Sequence, residues 1–455
     1  MEKKRAGFKK FLVVFLSFLF LLNGCFAVKA GWKTPTDIME ISGVTVFDNR
    51  HPCLFVDGNG VSHVVWSGKN GTDFEIFYAN NLGGSFSYKV VTDNDKDDLK
   101  PRLVVDSEGI LYMVWQEETE NGGEIFYLES SIGNLSSSEP INVSNNVFED
   151  WNPSLFVDGE GIAHIVWQGN ATGDWEIYYT KKTGESFLTP VNVSKSPLND
   201  MYPSLYVDSN RDIHVAWNGY GDKDSEIYYV KSSTAALDFS NLVNVTANDF
   251  DDYYPSLFVG LDGLIRIAWE LYEEDRGEIY YIKGYSGNFF VPVNVSKTLF
   301  EGVHPSIFVD LNGKSHIVWQ GKEEKGEKWG IYFSNNVEEE LFKEPEKVSG
   351  NQGDEEFPSL FLDKEGKAHI VWQKNVDGEY KIYYSETAKS VTTPKKGFPW
   401  LWAGIVIASV TITIVLLYYH YKKGGIMKHV NYSQLLQEAS CFNDGIIIIH
   451  PSPQA

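Results

Sequence analysis

One unit recurs seven times between Pro52 and Trp372: a proline opens a short apolar run and a tryptophan follows fourteen residues later. The pairs are Pro52/Trp66, Pro101/Trp115, Pro153/Trp167, Pro203/Trp217, Pro255/Trp269, Pro305/Trp319 and Pro358/Trp372. Their spacing of about fifty residues is the period at which each repeat is one multi-stranded unit that must stack on its neighbours to bury an apolar face. This periodicity constrains the fold before any chemistry is considered.

The third unit can be read strand by strand. Pro153 to Asp158 and Ala163 to Trp167 are short apolar runs separated by Gly159-Glu160-Gly161, a hairpin pattern. A polar loop from Gln168 to Asp174 leads to a third run, Glu176 to Thr180, and Thr189 to Ser194 supplies a fourth. Four antiparallel strands make one propeller blade, and near-continuous apolar runs suit strands covered on both faces by adjacent blades. The seventh unit ends after Lys381-Ile-Tyr-Tyr384 with no fourth strand, whereas Thr36 to Ser42, carrying Ile38, Met39 and Ile41, precedes the first proline. The chain is therefore expected to be all-β: a seven-bladed propeller of four-stranded antiparallel blades, closed by an N-terminal strand that completes the last blade and removes open edges.

The termini suggest a surface protein. Lys3, Lys4, Arg5, Lys9 and Lys10 precede an apolar stretch from Phe11 to Leu22, so residues 1–30 read as a secretory signal. Leu22-Asn23-Gly24-Cys25 resembles a lipobox in which Cys25 is lipidated, but Asn23 departs from the pattern and ordinary cleavage is the competing reading. Trp400 to Tyr419 contains no charge and is long enough to cross a hydrocarbon core of about 30 Å. Aromatic residues flank it, and Lys422, Lys423 and Lys428 follow. The expected organisation is a propeller over 31–388, a linker over 389–398, one transmembrane helix over 399–421 and a short cytoplasmic tail over 422–455, with the propeller extracellular.

Three cysteines, Cys25, Cys53 and Cys441, are too few for a disulfide framework, so apolar burial must hold the fold. Each tryptophan buries about 150–250 Å², an upper stabilisation of roughly 4–6 kcal/mol at 25 cal/mol per Å². A formal charge of −23 argues against nucleic acid as a partner.

The recurring strings Pro-Ser-Leu-Phe-Val-Asp, His-Ile-Val-Trp, Glu-Ile-Tyr-Tyr and Pro-Val-Asn-Val-Ser resemble the sialidase-like, BNR-repeat propellers of secreted and surface-anchored proteins, over Thr36 to Ser385. The Asp-box of that family is degenerate here, in turns such as Thr183-Gly-Glu-Ser-Phe187, and the sialidase fold has six blades. The resemblance implies the propeller fold. Catalysis of the sialidase kind implies three converging arginines, for which only Arg50, Arg102, Arg266 and Arg276 stand in suitable segments.

Candidate site residues lie in the loops that enter each blade. Acids recur three and four residues before the proline: Asp48, Asp97/Asp98, Glu149/Asp150, Asp200, Asp251/Asp252, Glu301 and Asp354/Glu355. The loops between second and third strands share that face and carry Glu117/Glu118/Glu120, Asp222/Asp224, Glu273/Glu274/Asp275 and Glu323/Glu324/Glu327, so one face is expected to be strongly negative. Paired carboxylates are donors for Ca²⁺, against the plainer reading of duplicated, solvated loop charge. Trp151, Tyr202, Tyr253, Tyr254 and Phe357 interleave with the acids. Carboxylates beside flat rings are suited to neutral sugars, and packing over the channel mouth or next blade is the structural alternative.

His63, His164, His214, His316 and His369 each stand three residues before a tryptophan and are expected to bond within their blade. The repeated turn aspartates and the glutamates that start third strands are likewise expected to be architectural, because a catalytic residue is needed once. Together these observations predict a binding module for a glycan, surface polymer or envelope protein. The residues expected to carry it are Asp98, Asp150, Trp151, Asp200, Tyr202, Asp252, Tyr253, Tyr254, Glu301 and Glu355. The alternative is a glycosidase or lyase drawing two carboxylates from Asp98, Asp150, Asp200 and Asp252.

Overall fold

The computed structural model describes residues 31–42, 47–120, 122–221, 223–274, 276–297, 299–338, 341–350 and 353–388. The expected signal, membrane helix and tail lie outside the described residues. Among those described, no helix is long and apolar enough to cross a membrane.

Each unit folds as an antiparallel blade. Blade 3 comprises Asp150–Val157, Ala163–Gly169, Glu176–Thr183 and Val191–Asn192, paired in chain order. The first strands of the seven blades are Phe47–Val56, Asp98–Val105, Asp150–Val157, Asp200–Val207, Asp251–Val259, Glu301–Val309 and Glu355–Leu362. Each packs against its counterpart in the next blade, and Phe47–Val56 packs against Glu355–Leu362, closing the ring. Blades 3, 5 and 6 add a two-residue strand to the third strand: Ser186–Phe187, Asn288–Phe289 and Leu341–Phe342.

The closing strand is shorter than expected. Within Thr36 to Ser42 only Thr36 and Asp37 pair with the last blade, at Tyr384 and Tyr383; upstream Trp32 bridges Thr387, and Ile38–Ser42 forms a single helical turn. Asp37 explains the switch: its Oδ1 accepts the N–H groups of Met39 and Glu40, capping the turn in competition with the ladder. Ile38 and Met39 still serve closure, because both are buried in the cluster that joins the last blade to the first. Fourth strands are also short, two residues in most blades. Their Asn142, Asn192, Asn244 and Asn294 accept the N–H of the residue three positions on, which explains the recurring Asn-Val-Ser/Thr as turn chemistry.

All seven tryptophans are buried, at most 1% exposed. Each lies beside the aromatic residue paired with it on the third strand, as Trp66 with Phe77 at 5.7 Å and Trp167 with Tyr178 at 6.0 Å between centroids. The histidines bond within their blades as expected: Nδ1 of His63, His164, His214 and His369 meets the hydroxyl of Tyr78, Tyr179, Tyr229 and Tyr384 at 2.6–2.8 Å. In blade 6 the tyrosine position holds Phe333, so His316 Nδ1 has no partner among the described residues.

Candidate binding site at the axial mouth

The acids three residues before each proline do not face solvent. Asp98, Asp150, Asp200 and Asp252 are at most 2% exposed. Each accepts the indole N–H of its own blade's tryptophan, Trp115, Trp167, Trp217 or Trp269, at 2.6–2.8 Å. Asn49 does the same for Trp66. Desolvation raises the carboxyl pKa of Asp98 to about 8, of Asp200 and Asp252 to about 7, and of Asp150 to about 6. Glu355, one methylene longer, is also buried and reaches Lys374 at 3.2 Å instead. In blade 6 Gly302 leaves Trp319 Nε1 without an acceptor among the described residues.

The outer acids are committed as well. Asp97, Asp251 and Asp354 accept backbone N–H groups of Phe74, Ser225 and Trp329 in the preceding blade, at 2.7–3.2 Å. Glu301 pairs with Lys322 at 3.1 Å and Asp48 with Arg50 at 2.8 Å. The expected acidic recognition ring is therefore corrected: most of these groups are committed inside their own blade, Asp97, Asp251 and Asp354 tie neighbouring blades together, and Asp98, Asp150, Asp200, Asp252 and Glu355 are withdrawn from any ligand. Glu118, Glu120, Glu273, Glu274, Glu324 and Glu327 remain exposed on the outer loops. Among the described residues no group of three or more His, Cys, Asp or Glu side chains stands ready to hold a metal ion.

What faces the axis is the residue immediately before each proline. His51, Lys100, Asn152, Tyr202, Tyr254, His304 and Phe357 all adopt left-handed backbone angles, φ between 50° and 56°, within a bulge of the first strand. Such a conformation costs a non-glycine residue about 1–3 kcal/mol. Each is held by a clasp: its N–H donates to the side chain that follows the tryptophan of the preceding blade. The acceptors are Gln373, Ser67, Gln116, Gln168, Asn218, Glu270 and Gln320 respectively. The proline that follows has no N–H, which suits an innermost strand with no ladder partner on its axial side.

The seven side chains, all half-buried, form one collar. Its aromatic arc runs from Tyr202 to Tyr254 at 4.2 Å, to His304 at 4.7 Å, to Phe357 at 4.5 Å and to His51 at 5.3 Å between centroids. Tyr253 flanks the arc, 6.5 Å from Tyr254. The arc is completed by a polar segment in which Lys100 Nζ donates to Asn152 Oδ1 at 2.5 Å and lies 5.8 Å from the Trp151 ring. Below the collar come Cys53, Arg102, Ser154, Ser204, Ser256, Ser306 and Ser359, and below these Phe55, Val104, Phe156, Tyr206, Phe258, Phe308 and Phe361. Phe156, Tyr206, Phe258, Phe308, Phe361 and Phe55 follow one another at 4.7–4.8 Å, narrowing the channel with rings.

Charge at the mouth is uneven. Burial, reinforced by Lys100, Arg102, Arg50 and His304, lowers the His51 pKa to about 3, so its imidazole is neutral. Burial and Arg102 lower that of Lys100 to about 8 against the opposing pull of Glu118. On the other side Glu270, fully buried, meets His304 Nδ1 at 3.0 Å, and its Oε2 has no hydrogen-bond partner among the described residues.

The arginines do not converge. Arg50, Arg266 and Arg276 are each paired with an acid of their own blade, Asp48, Asp262 and Glu278. Arg102 alone stands in the channel. Of the residues expected to bind, Tyr202, Tyr253 and Tyr254 are brought together, Trp151 lies beside Lys100, and Glu301 is apart from the collar in its ion pair. His51, Lys100 and His304 were not anticipated, and Arg102 was expected only as one of four candidates for a converging arginine set. Their signal was available: the position before each proline varies in chemistry while its surroundings repeat.

No protein-family model matches the sequence, nor does any curated protein. Among solved structures, a PL25 polysaccharide lyase, an ulvan lyase bound to -[GlcA(1-4)Rha3S]-, superposes with a TM-score of 0.57 at 12% identity, covering 74% of this chain and 93% of that one. A protein of unknown function from Dyadobacter fermentans gives 0.50 at 12% identity, covering 79% and 100%. An intramolecular trans-sialidase from Ruminococcus gnavus gives 0.43 at 10% identity, covering 76% and 96%, too loose to carry an argument. What the chain shares with the first two is the propeller fold.

Proposed function

We propose that this is a membrane-anchored, surface-displayed propeller that binds carbohydrate at its axial mouth. The observation that carries the reading is the aromatic arc of Tyr202, Tyr254, His304 and Phe357, which offers flat rings to the C–H face of a sugar beside hydrogen-bonding groups of Asn152 and Lys100. The buried aspartates play no part in it. The test is a glycan array probed with the full-length chain in detergent. Wild type retains one class of glycan and Tyr254→Ala loses it at least tenfold; retention unchanged in Tyr254→Ala, or capture of an envelope protein with no glycan bound, overturns the reading. Display is tested by protease shaving of intact cells, which should release propeller fragments.

A catalytic reading is favoured by one group. Glu270 replaces the Gln or Asn found at this position in most blades, and it brings a buried carboxylate against His304 at the same mouth. A hydrolase or lyase using this pair would release new sugar ends from a bound polymer, and Glu270→Gln would abolish release while retaining binding. Binding without release by wild type leaves the module reading alone.

A further inference from the structure

The cationic side of the collar sets a requirement on the ligand that the aromatic arc does not. The chain carries 62 acidic and 39 basic residues, yet the charged groups that act on His51 at the mouth are Lys100, Arg102, Arg50 and His304. Arg50 is neutralised by Asp48 and His304 faces Glu270. Lys100 and Arg102 are different. Lys100 donates to a neutral amide and sees one acid, the exposed Glu118. Arg102 makes one hydrogen bond, to its neighbour's carbonyl at Pro101, 3.1 Å away. Among the described residues no carboxylate pairs with either. Beside them, on the first strand of the preceding blade, stands His51, whose buried Nδ1 has no hydrogen-bond partner among the described residues. Half-buried cations without counter-charge are costly to keep, and an oxyanion brings the missing partner.

We propose that Lys100, Arg102 and His51 form a subsite for a carboxylate or sulfate on the bound saccharide, so that the ligand is an acidic rather than a neutral glycan. This rests on the carbohydrate reading above. The sugar ring lies against the aromatic arc while its anionic substituent reaches across the mouth to Lys100 and down to Arg102. The exposed acids Glu118, Glu120, Glu273 and Glu274 of the outer loops disfavour a polyanion beside them, which directs its charge to the axis.

The experiment compares tetragalacturonate with its methyl ester, two ligands of one shape that differ in charge, by calorimetric titration of the full-length chain in detergent. Inorganic sulfate is titrated separately by thermal shift. Wild type is expected to bind the acid at least tenfold more tightly than the ester, with the difference shrinking as salt rises. Arg102→Gln and the double variant Lys100→Gln/Arg102→Gln are expected to bind both alike, while Arg102→Lys and the outer-surface Lys195→Gln keep the preference. Equal binding of acid and ester by wild type, or a preference that survives the double variant, overturns the subsite and leaves the carbohydrate reading standing. If neither tetramer binds, the sulfate titration decides: a sulfate-dependent rise in melting temperature in wild type that the double variant lacks supports an anion site, and equal rises overturn it.

Discussion

At the scale of single residues, the main lesson is that an acid repeated around a ring is a structural group. Asp150 satisfies a buried indole N–H at 2.7 Å and accepts from Asn146 at 2.6 Å through its second oxygen. Asp150→Ala leaves the Trp167 donor unpaired and is expected to cost about 1–3 kcal/mol in chemical denaturation, whereas Asp150→Asn keeps an acceptor and costs less. Asn49 in the equivalent place in blade 1 shows that the role needs an oxygen and not a charge. The signal lies in the sequence as a constant separation of seventeen residues from Asn49 or each aspartate to its tryptophan. A pH dependence follows. Asp98, Asp200 and Asp252, with folded pKa values of about 8, 7 and 7, hold protons that the unfolded chain releases near pH 4, so they stabilise the fold in acid and lose that contribution as pH rises through 7 to 8. The buried histidines, whose pKa values are lowered, act in the opposite sense but only below about pH 6.5. Melting temperature is therefore expected to fall between pH 6.5 and 8.5, with a shallower slope in Asp98→Asn; a rise over that interval contradicts the assignment.

At the scale of elements, the strand order and the ring closure were legible because a proline and a tryptophan mark each blade and the last unit visibly lacks a strand. The end of the closing strand was not, because Asp37 offers its carboxylate to the following N–H groups and starts a helical turn where pairing was expected to continue. Closure is held instead by Ile38 and Met39 packed between first and last blades. Ile38→Ala is expected to cost about 2–5 kcal/mol, and amide exchange should accelerate at Tyr383 and Tyr384 before it does in blade 4. The clasp that holds each collar residue was also hidden, since left-handed backbone before a proline runs against local preference and is stabilised only by the neighbouring blade. Removing one acceptor, as in Gln168→Ala, should loosen Tyr202 and lower stability by about 1–2 kcal/mol in the same denaturation assay.

At the scale of the whole molecule, seven similar blades bring seven dissimilar side chains to one axis. Sequence reading identified the tyrosines of this collar as ring-bearing candidates beside acids, but it could not tell which neighbouring group turns inward. The bulge at each proline decides that, sending His51, Lys100 and His304 to the mouth while Asp98, Asp150, Asp200 and Asp252 turn into their blades. Function is therefore carried by the position where repetition fails. The most direct test is to photo-crosslink a glycan retained by the array to the full-length chain and map the modified peptides. Adducts should fall on the collar and the layer beneath it, at residues such as Lys100, Tyr202, Tyr254 and Phe357. Adducts confined to the outer loops or blade edges would contradict recognition at the axial mouth.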